Sequence, residues 1–313
     1  MNEITRRSFL GGATATAAVV TSGCAAFKVA PAETKDYDLL QDEISKLEPS
    51  DYREYCATGK TSGFICLERL EAAFDKVLRE VQETVVTDKP AVWLVYNMGT
   101  VVKTKECCFA IDLRHVRGQE LAPYLDFALI THNHGDHYTE PFYRAMNGAG
   151  KTVISNFKDN YGAADWKKGG ADWAKDGGYT RAEKIFTIKD VEIKTGLTDH
   201  NGYLVDFTST FEITIGGKYR IYHSGDCSNV GKLNPQPNPD LWILHPACGM
   251  NVADGVKKFQ PKLTVIAHLN ELGHANGGSR WTWRRGLEEG AKAEAAGGKF
   301  VMPLWGERIV ISD

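Results

Sequence analysis

Apolar residues recur at helical spacing in one clear stretch of the chain. Leu67, Leu70, Phe74, Val77, Leu78, Val81 and Val85 step by three and four, which predicts an amphipathic helix with a single buried stripe, closed by Pro90. Ahead of it, residues 33–66 are polar and mixed, with helical character from Tyr37 to Leu47. After Pro90 the texture changes to short β-rich runs: 91–96, 99–104, 107–111, 126–130, 152–155, 191–194, 203–207 with 211–215, 219–223, 241–244 and 263–268. Gly, Asp, Asn and Pro punctuate them, and helical stretches fall near 140–147 and 282–296. Many strands with interspersed helices predict an α/β, sheet-and-helix layered domain over residues 89–313, preceded by a helical extension over 33–88.

The first residues break this pattern. Arg6-Arg7-Ser8-Phe9-Leu10 precedes an apolar, small-residue run from Gly11 to Val20, the order of an export signal. The Arg pair resembles the twin-arginine type, whose route carries folded proteins. The run is too short to span a membrane, which takes about 20 apolar residues. Thr21-Ser22-Gly23-Cys24 resembles a lipoprotein cleavage site, with Thr21 where an aliphatic residue is usual; Ala30-Pro31-Ala32 is the other small-residue site. We therefore expect residues 1–32 to act as an export signal. The mature chain would be periplasmic or lipid-anchored at the cell envelope, with Cys24 as its only link to a membrane.

Composition narrows the class. Hydrophobic residues at 42% and charged ones at 25% fit a globular protein of 313 residues, and a formal charge of -3 carries no nucleic-acid signature. Cys56, Cys66, Cys107, Cys108, Cys227 and Cys248 form no C-x-x-C pair, so they read as small buried hydrophobes, with Cys107 and Cys108 on opposite faces of a strand.

The chemistry concentrates where the run 125–130 empties into Thr131-His132-Asn133-His134-Gly135-Asp136-His137-Tyr138. His132 and His134 share a side in extended backbone and can reach one ion; Gly135 permits a turn, after which Asp136 and His137 can face a second. Imidazole with carboxylate suits zinc, and also manganese or iron. The bland alternative is a chance His run on an exposed loop.

This H-x-H-x-D-H pattern at a strand end resembles that of the metallo-β-lactamase superfamily. The likeness continues downstream in order: Thr198-Asp199-His200, then Tyr222-His223-Ser224-Gly225-Asp226, then His268 after 263–267, with Ile111-Asp112 upstream. The resemblance implies a four-layer αβ/βα sandwich holding two divalent metal ions. His132, His134 and His200 would bind one ion, Asp136, His137 and His268 the other, and Asp226 would bridge them. It further implies a hydrolase in which Asp136 also orients the attacking water. The Tyr-His-Ser-Gly-Asp element looks most like the branch of ascorbate-phosphate lactonase-like proteins.

Other residues carry open readings. Tyr138, His223 and His274 are candidate proton donors to a leaving group. His274 could also replace His268 as a ligand, while His223 and Asp112 could steady ligands from behind. His115 and His245 read as structural. Residues 279–285, basic and aromatic, form either a wall for an anionic substrate or a helix start. The Gly- and Trp-containing stretch 159–178 reads as a loop over the site. The reaction implied is cleavage of an ester, lactone or phosphodiester in a small molecule. An iron-dependent redox enzyme on the same fold, such as a sulfur dioxygenase, or a non-catalytic metal-binding protein are the alternatives.

Overall fold

The computed structural model describes residues 27–29, 34–157, 183–275 and 280–311. Two seven-stranded sheets pack face to face. Sheet A runs, in spatial order, β1 (Phe27–Val29), β14 (Arg308–Ile311), β2 (Ala91–Tyr96), β3 (Gly99–Lys103), β4 (Cys108–Ile111), β5 (Phe127–Leu129) and β6 (Thr152–Ile154). Sheet B runs β13 (Phe300–Val301), β12 (Leu263–Ile266), β11 (Leu241–Leu244), β10 (Tyr219–His223), β9 (Leu204–Ile215), β8 (Val191–His200) and β7 (Ile185–Ile188). Both sheets are mixed. β4, β5 and β6 are parallel in sheet A, and β10 to β13 are parallel in sheet B.

Covered faces explain why the central strands read as unbroken apolar runs rather than alternating ones. In β2, Val92 and Leu94 enter the core between the sheets, while Trp93 and Val95 point outward into a second core. That outer core is closed by α3 (Ile65–Glu83), through Phe74, Val77 and Val81, and by α4 (Glu140–Gly148), through Phe142 and Met146. On the far side, α5 (Val252–Phe259) and α6 (Trp283–Ala295) cover Tyr222, Trp242 and Leu244 of sheet B. The result is the four-layer sandwich expected. Cys107 and Cys108 fall into the two different cores of sheet A, as their adjacency on a strand requires.

The N-terminal helices α1 (Thr34–Ile44) and α2 (Pro49–Thr58) pack with Tyr96, Leu269, Met302 and Trp305 at one end of the sandwich. The helix α2 went unforeseen because its signal is in its cap. Pro49 opens it, and the Glu48 N–H donates to Asp51 Oδ2 at 2.9 Å. The long helix ends at Glu83, short of Val85, which is 84% exposed; Val85-Val86-Thr87 is β-branched and resists the helix. The two apolar runs at 203–207 and 211–215 are one strand, because Thr208, Ser209 and Thr210 are buried and stay in register with Thr198, Leu197 and Gly196 of β8, while the Ser209 N–H also donates across to Thr131 O at 2.7 Å.

The basic, aromatic stretch resolves as a helix start. Arg280 is buried and donates to the carbonyls of Ile44, Leu47, Glu271 and Leu272, and Trp283 is buried at the head of α6. Arg280 therefore holds the N-terminal helices to the body and is not a wall for an anion. The loop expected at 159–178 lies outside the described residues.

Candidate metal centre

Two parallel strands of sheet A and three of sheet B end at this centre, and each delivers a polar residue just past its last apolar positions. β4 delivers Asp112, β5 delivers His132, β10 delivers Asp226, β11 delivers His245 and β12 delivers His268. Ligand sites in parallel sheets gather at carboxyl ends of strands for this reason: the scaffold is rigid up to the last paired residue and free beyond it. His200 comes from the end of β8, where the pairing with β9 shifts register between Thr198 and His200. His134, Asp136 and His137 follow His132 in the loop.

All seven residues singled out in the sequence meet there. Ring nitrogens of His132, His134 and His200 lie within 4.8 Å of one another, and so do ligand atoms of Asp136, His137, Asp226 and His268. Asp226 Oδ2 is the common point, 3.3 Å from His137 Nε2, 3.5 Å from His200 Nε2, 3.7 Å from His268 Nε2 and 3.9 Å from His132 Nε2. Asp136 Oδ2 lies 3.0 Å from His268 Nε2 and is the more open carboxylate, its side chain 17% exposed against 4% for Asp226. Gly225 lets the β10 loop come this close. Its φ is +54°, and a Cβ there would stand 2.6 Å from Thr208 Cγ2.

A network behind the ligands fixes which ring nitrogen faces inward. Asp112, buried, accepts from the Thr131 N–H and Thr131 Oγ1, both at 2.7 Å, and its Oδ2 is 2.9 Å from His137 Nδ1. Because a carboxylate only accepts, His137 donates from Nδ1 to Asp112 and presents Nε2 toward Asp226 as the nitrogen a cation would bind. Thr131 Oγ1 does the same for His132, at 3.0 Å from Nδ1. The Nε2 atoms of His132, His137 and His200 are buried and have no hydrogen-bond partner. Burying such nitrogens unsatisfied is costly. Their convergence on a carboxylate oxygen is the donor set of a divalent cation, and nitrogen with oxygen suits zinc, manganese or iron.

The electrostatics of the metal-free chain agree. Burial holds the His132 and His134 imidazoles below their usual range, so both are neutral donors. For His137 burial pulls the same way but is outweighed by Asp226, Asp136 and Asp112, which hold it protonated. Burial pushes the Asp226 carboxyl up, and His137 with His245 and His268 outweighs that, keeping it ionised. A cation would take the place of the proton on His137.

His245, read as structural, belongs to this site. Its Nδ1 lies 3.0 Å from Asp226 Oδ1, and its ring stacks on His268 at 3.6 Å and 7°. Burial lowers its pKa to about 4, so it is neutral, and its Nδ1 faces both the Asp226 carboxylate and the Cys248 thiol. The signal was present: His245 follows the apolar strand 241–244 just as His268 follows 263–266. His115, by contrast, is structural. It stacks on Phe74 at 4.1 Å, with its pKa lowered by burial to about 3.

The proton-donor candidates separate. His223 is fully buried and accepts from the Gly225 N–H at 3.3 Å. Tyr138 packs toward the α4 layer, 5.4 Å from Phe157. His274 faces solvent with its side chain 38% exposed, its ring 6.4 Å from that of His268. Its Nδ1 is 3.1 Å from the buried carboxylate of Glu271, which raises its pKa.

No protein-family model matches the chain, and no curated protein matches it in sequence. In fold it is similar to Igni18, a metallo hydrolase from the hyperthermophilic archaeon Ignicoccus hospitalis. That likeness has 17% identity and a TM-score of 0.50, and covers 72% of this chain and 99% of the other. It is similar also to CmlA, a diiron β-hydroxylase from Streptomyces venezuelae, at 12% identity and a TM-score of 0.51, covering 72% of this chain and 54% of that one. The chain thus has the metallo-β-lactamase fold implied by its motifs.

Proposed function

We propose that this protein is a metal-dependent hydrolase acting on an ester, lactone or phosphodiester bond of a small molecule. The observation that carries the reading is the convergence of four imidazole nitrogens on Asp226 Oδ2 within 3.9 Å. His132, His134 and His200 would hold one divalent ion, Asp136, His137 and His268 a second, with Asp226 between them. Ions bound there lower the pKa of a water toward neutrality and stabilise negative charge on the substrate oxygen. Asp136, the more exposed carboxylate, orients that water. His274, its pKa raised by the Glu271 carboxylate, would donate to the leaving group.

Purified protein should contain two zinc or manganese ions and turn over bis(p-nitrophenyl) phosphate or a simple lactone, with activity lost to chelation and restored by metal. Bound iron, one or two per chain, with oxygen consumption in place of hydrolysis would sink the reading. That outcome is the second reading, an iron-dependent redox enzyme, which the likeness to a diiron β-hydroxylase favours. His274→Asn should slow substrates with poor leaving groups by about 10²–10⁴-fold and barely affect p-nitrophenyl substrates. Equal losses on both would exclude the donor role.

The substrate class follows the lactonase-like branch suggested by Tyr222-His223-Ser224-Gly225-Asp226. We place the protein outside the cytoplasm on the strength of its N-terminal signal. Phe27–Val29 pairs with β14, so a cut ahead of Cys24 keeps this edge strand whereas a cut after Ala32 removes it, which favours the lipoprotein-type site. Detergent partitioning of the mature protein, lost in Cys24→Ala, tests that preference; partitioning unchanged by the substitution excludes it.

A further inference from the structure

Cys248 reaches the centre from a turn just past His245. Gly249 follows it at a φ of +95°, and the thiol is buried. Cys248 Sγ lies 3.3 Å from His245 Nδ1. Together with a ring nitrogen of His200 and a carboxylate oxygen of Asp226 it forms a third cluster, all three ligand atoms within 4.8 Å of one another. A second observation points the same way: both ring nitrogens of His200 are buried without a hydrogen-bond partner. Cys227, adjacent to Asp226 in sequence, is turned elsewhere, its Sγ 3.1 Å from Thr198 Oγ1.

We propose that Cys248 is a sulfur ligand to the ion held by His200. This rests on the two-ion reading above and deepens it. On loading, the S–H bond breaks, the sulfur keeps the electron pair and shares it with the metal, and the proton leaves to solvent. The two positions then differ in kind. The one held by Asp136, His137 and His268 has nitrogen and oxygen donors, and the His132–His134–His200 position adds a soft thiolate that selects zinc or iron over manganese.

Cobalt(II) substitution reads this directly. Wild-type protein loaded with two cobalt ions should show a near-ultraviolet sulfur-to-cobalt charge-transfer band that saturates with one of the two equivalents. Cys248→Ser should lose that band and keep the visible bands of the bound ions, and Cys227→Ser should keep both. Zinc-loaded wild type, which needs no variant to fold, should show a sulfur scatterer at about 2.3 Å by X-ray absorption. Two bound cobalt ions without the band, or a band that persists in Cys248→Ser, would reduce Cys248 to a hydrogen-bonding neighbour and overturn the proposal while leaving the two-ion reading intact. A wild-type chain that takes up no cobalt overturns both.

Discussion

Asp112 touches no candidate ligand atom that faces the centre, yet it sets the direction of two of them. Through Thr131 and His137 it decides where the protons sit and where the lone pairs point. Asp112→Ala should therefore leave the fold in place and weaken metal retention about 10–100-fold, measured by competition with a chelator. Unchanged retention would mean the imidazoles orient themselves. Gly225 acts through space instead. Gly225→Ala combines a left-handed φ with a 2.6 Å clash and should cost at least about 1 kcal/mol in denaturant unfolding. At this scale much of the site was legible, since clustered His and Asp residues at strand ends have few other uses. His245 carried the same strand-end signal without a motif around it, and Cys248 was not legible, because it stands alone in sequence and only the fold puts it beside Asp226.

Among the elements, α3 is the one whose sequence pattern and packing correspond most directly. Its stripe forms one wall of the outer core of sheet A, so Phe74→Ala should cost about 3–5 kcal/mol, read from the shift in urea midpoint. The short pieces were opaque for a physical reason. The edge strand β7 alternates between exposed and half-buried residues and buries too little to leave an apolar run, and β13 has only two residues. The helix α5 owes its start to Asn251, whose side chain accepts from the N–H groups of Ala253 and Asp254. Glu307, in the turn before β14, gives an acid–base handle. Burial raises its pKa from 4.5 to about 7. Folding therefore favours its neutral form: the contribution is fully present below pH 4.5 and is lost as pH rises through about 7. Glu307→Gln should gain on the order of 1–3 kcal/mol at pH 8 and almost nothing at pH 4. An equal gain at both pH values would place the effect elsewhere.

In the whole molecule the centre straddles the two sheets. His132, His134, Asp136 and His137 follow a strand of sheet A, whereas His200, Asp226 and His268 come from sheet B. Any ion held between them cross-links the halves of the sandwich, and unfolding must break it. Free metal at a hundred times its dissociation constant should add about 2.7 kcal/mol, visible as a fall in Tm on chelation. A Tm indifferent to chelator would mean the metal holds nothing together. The order of motifs along the chain carried the α/β sandwich. The placement of α1 and α2 was beyond it, because Arg280 ties them down through backbone carbonyls that leave no trace in residue type.

A centre whose ligands are split between two sheets does not exist until the chain has folded. If the Arg6-Arg7 signal sends the protein out already folded, the ions it carries are chosen by the compartment of synthesis, and the supply outside has no say. A position bearing sulfur would sharpen that choice toward the softer metals available there. Metal content compared between exported protein and an Arg6→Lys, Arg7→Lys form retained in the cytoplasm would decide it. Identical metals in both fit loading before export, and different metals mean the site is filled or exchanged after crossing.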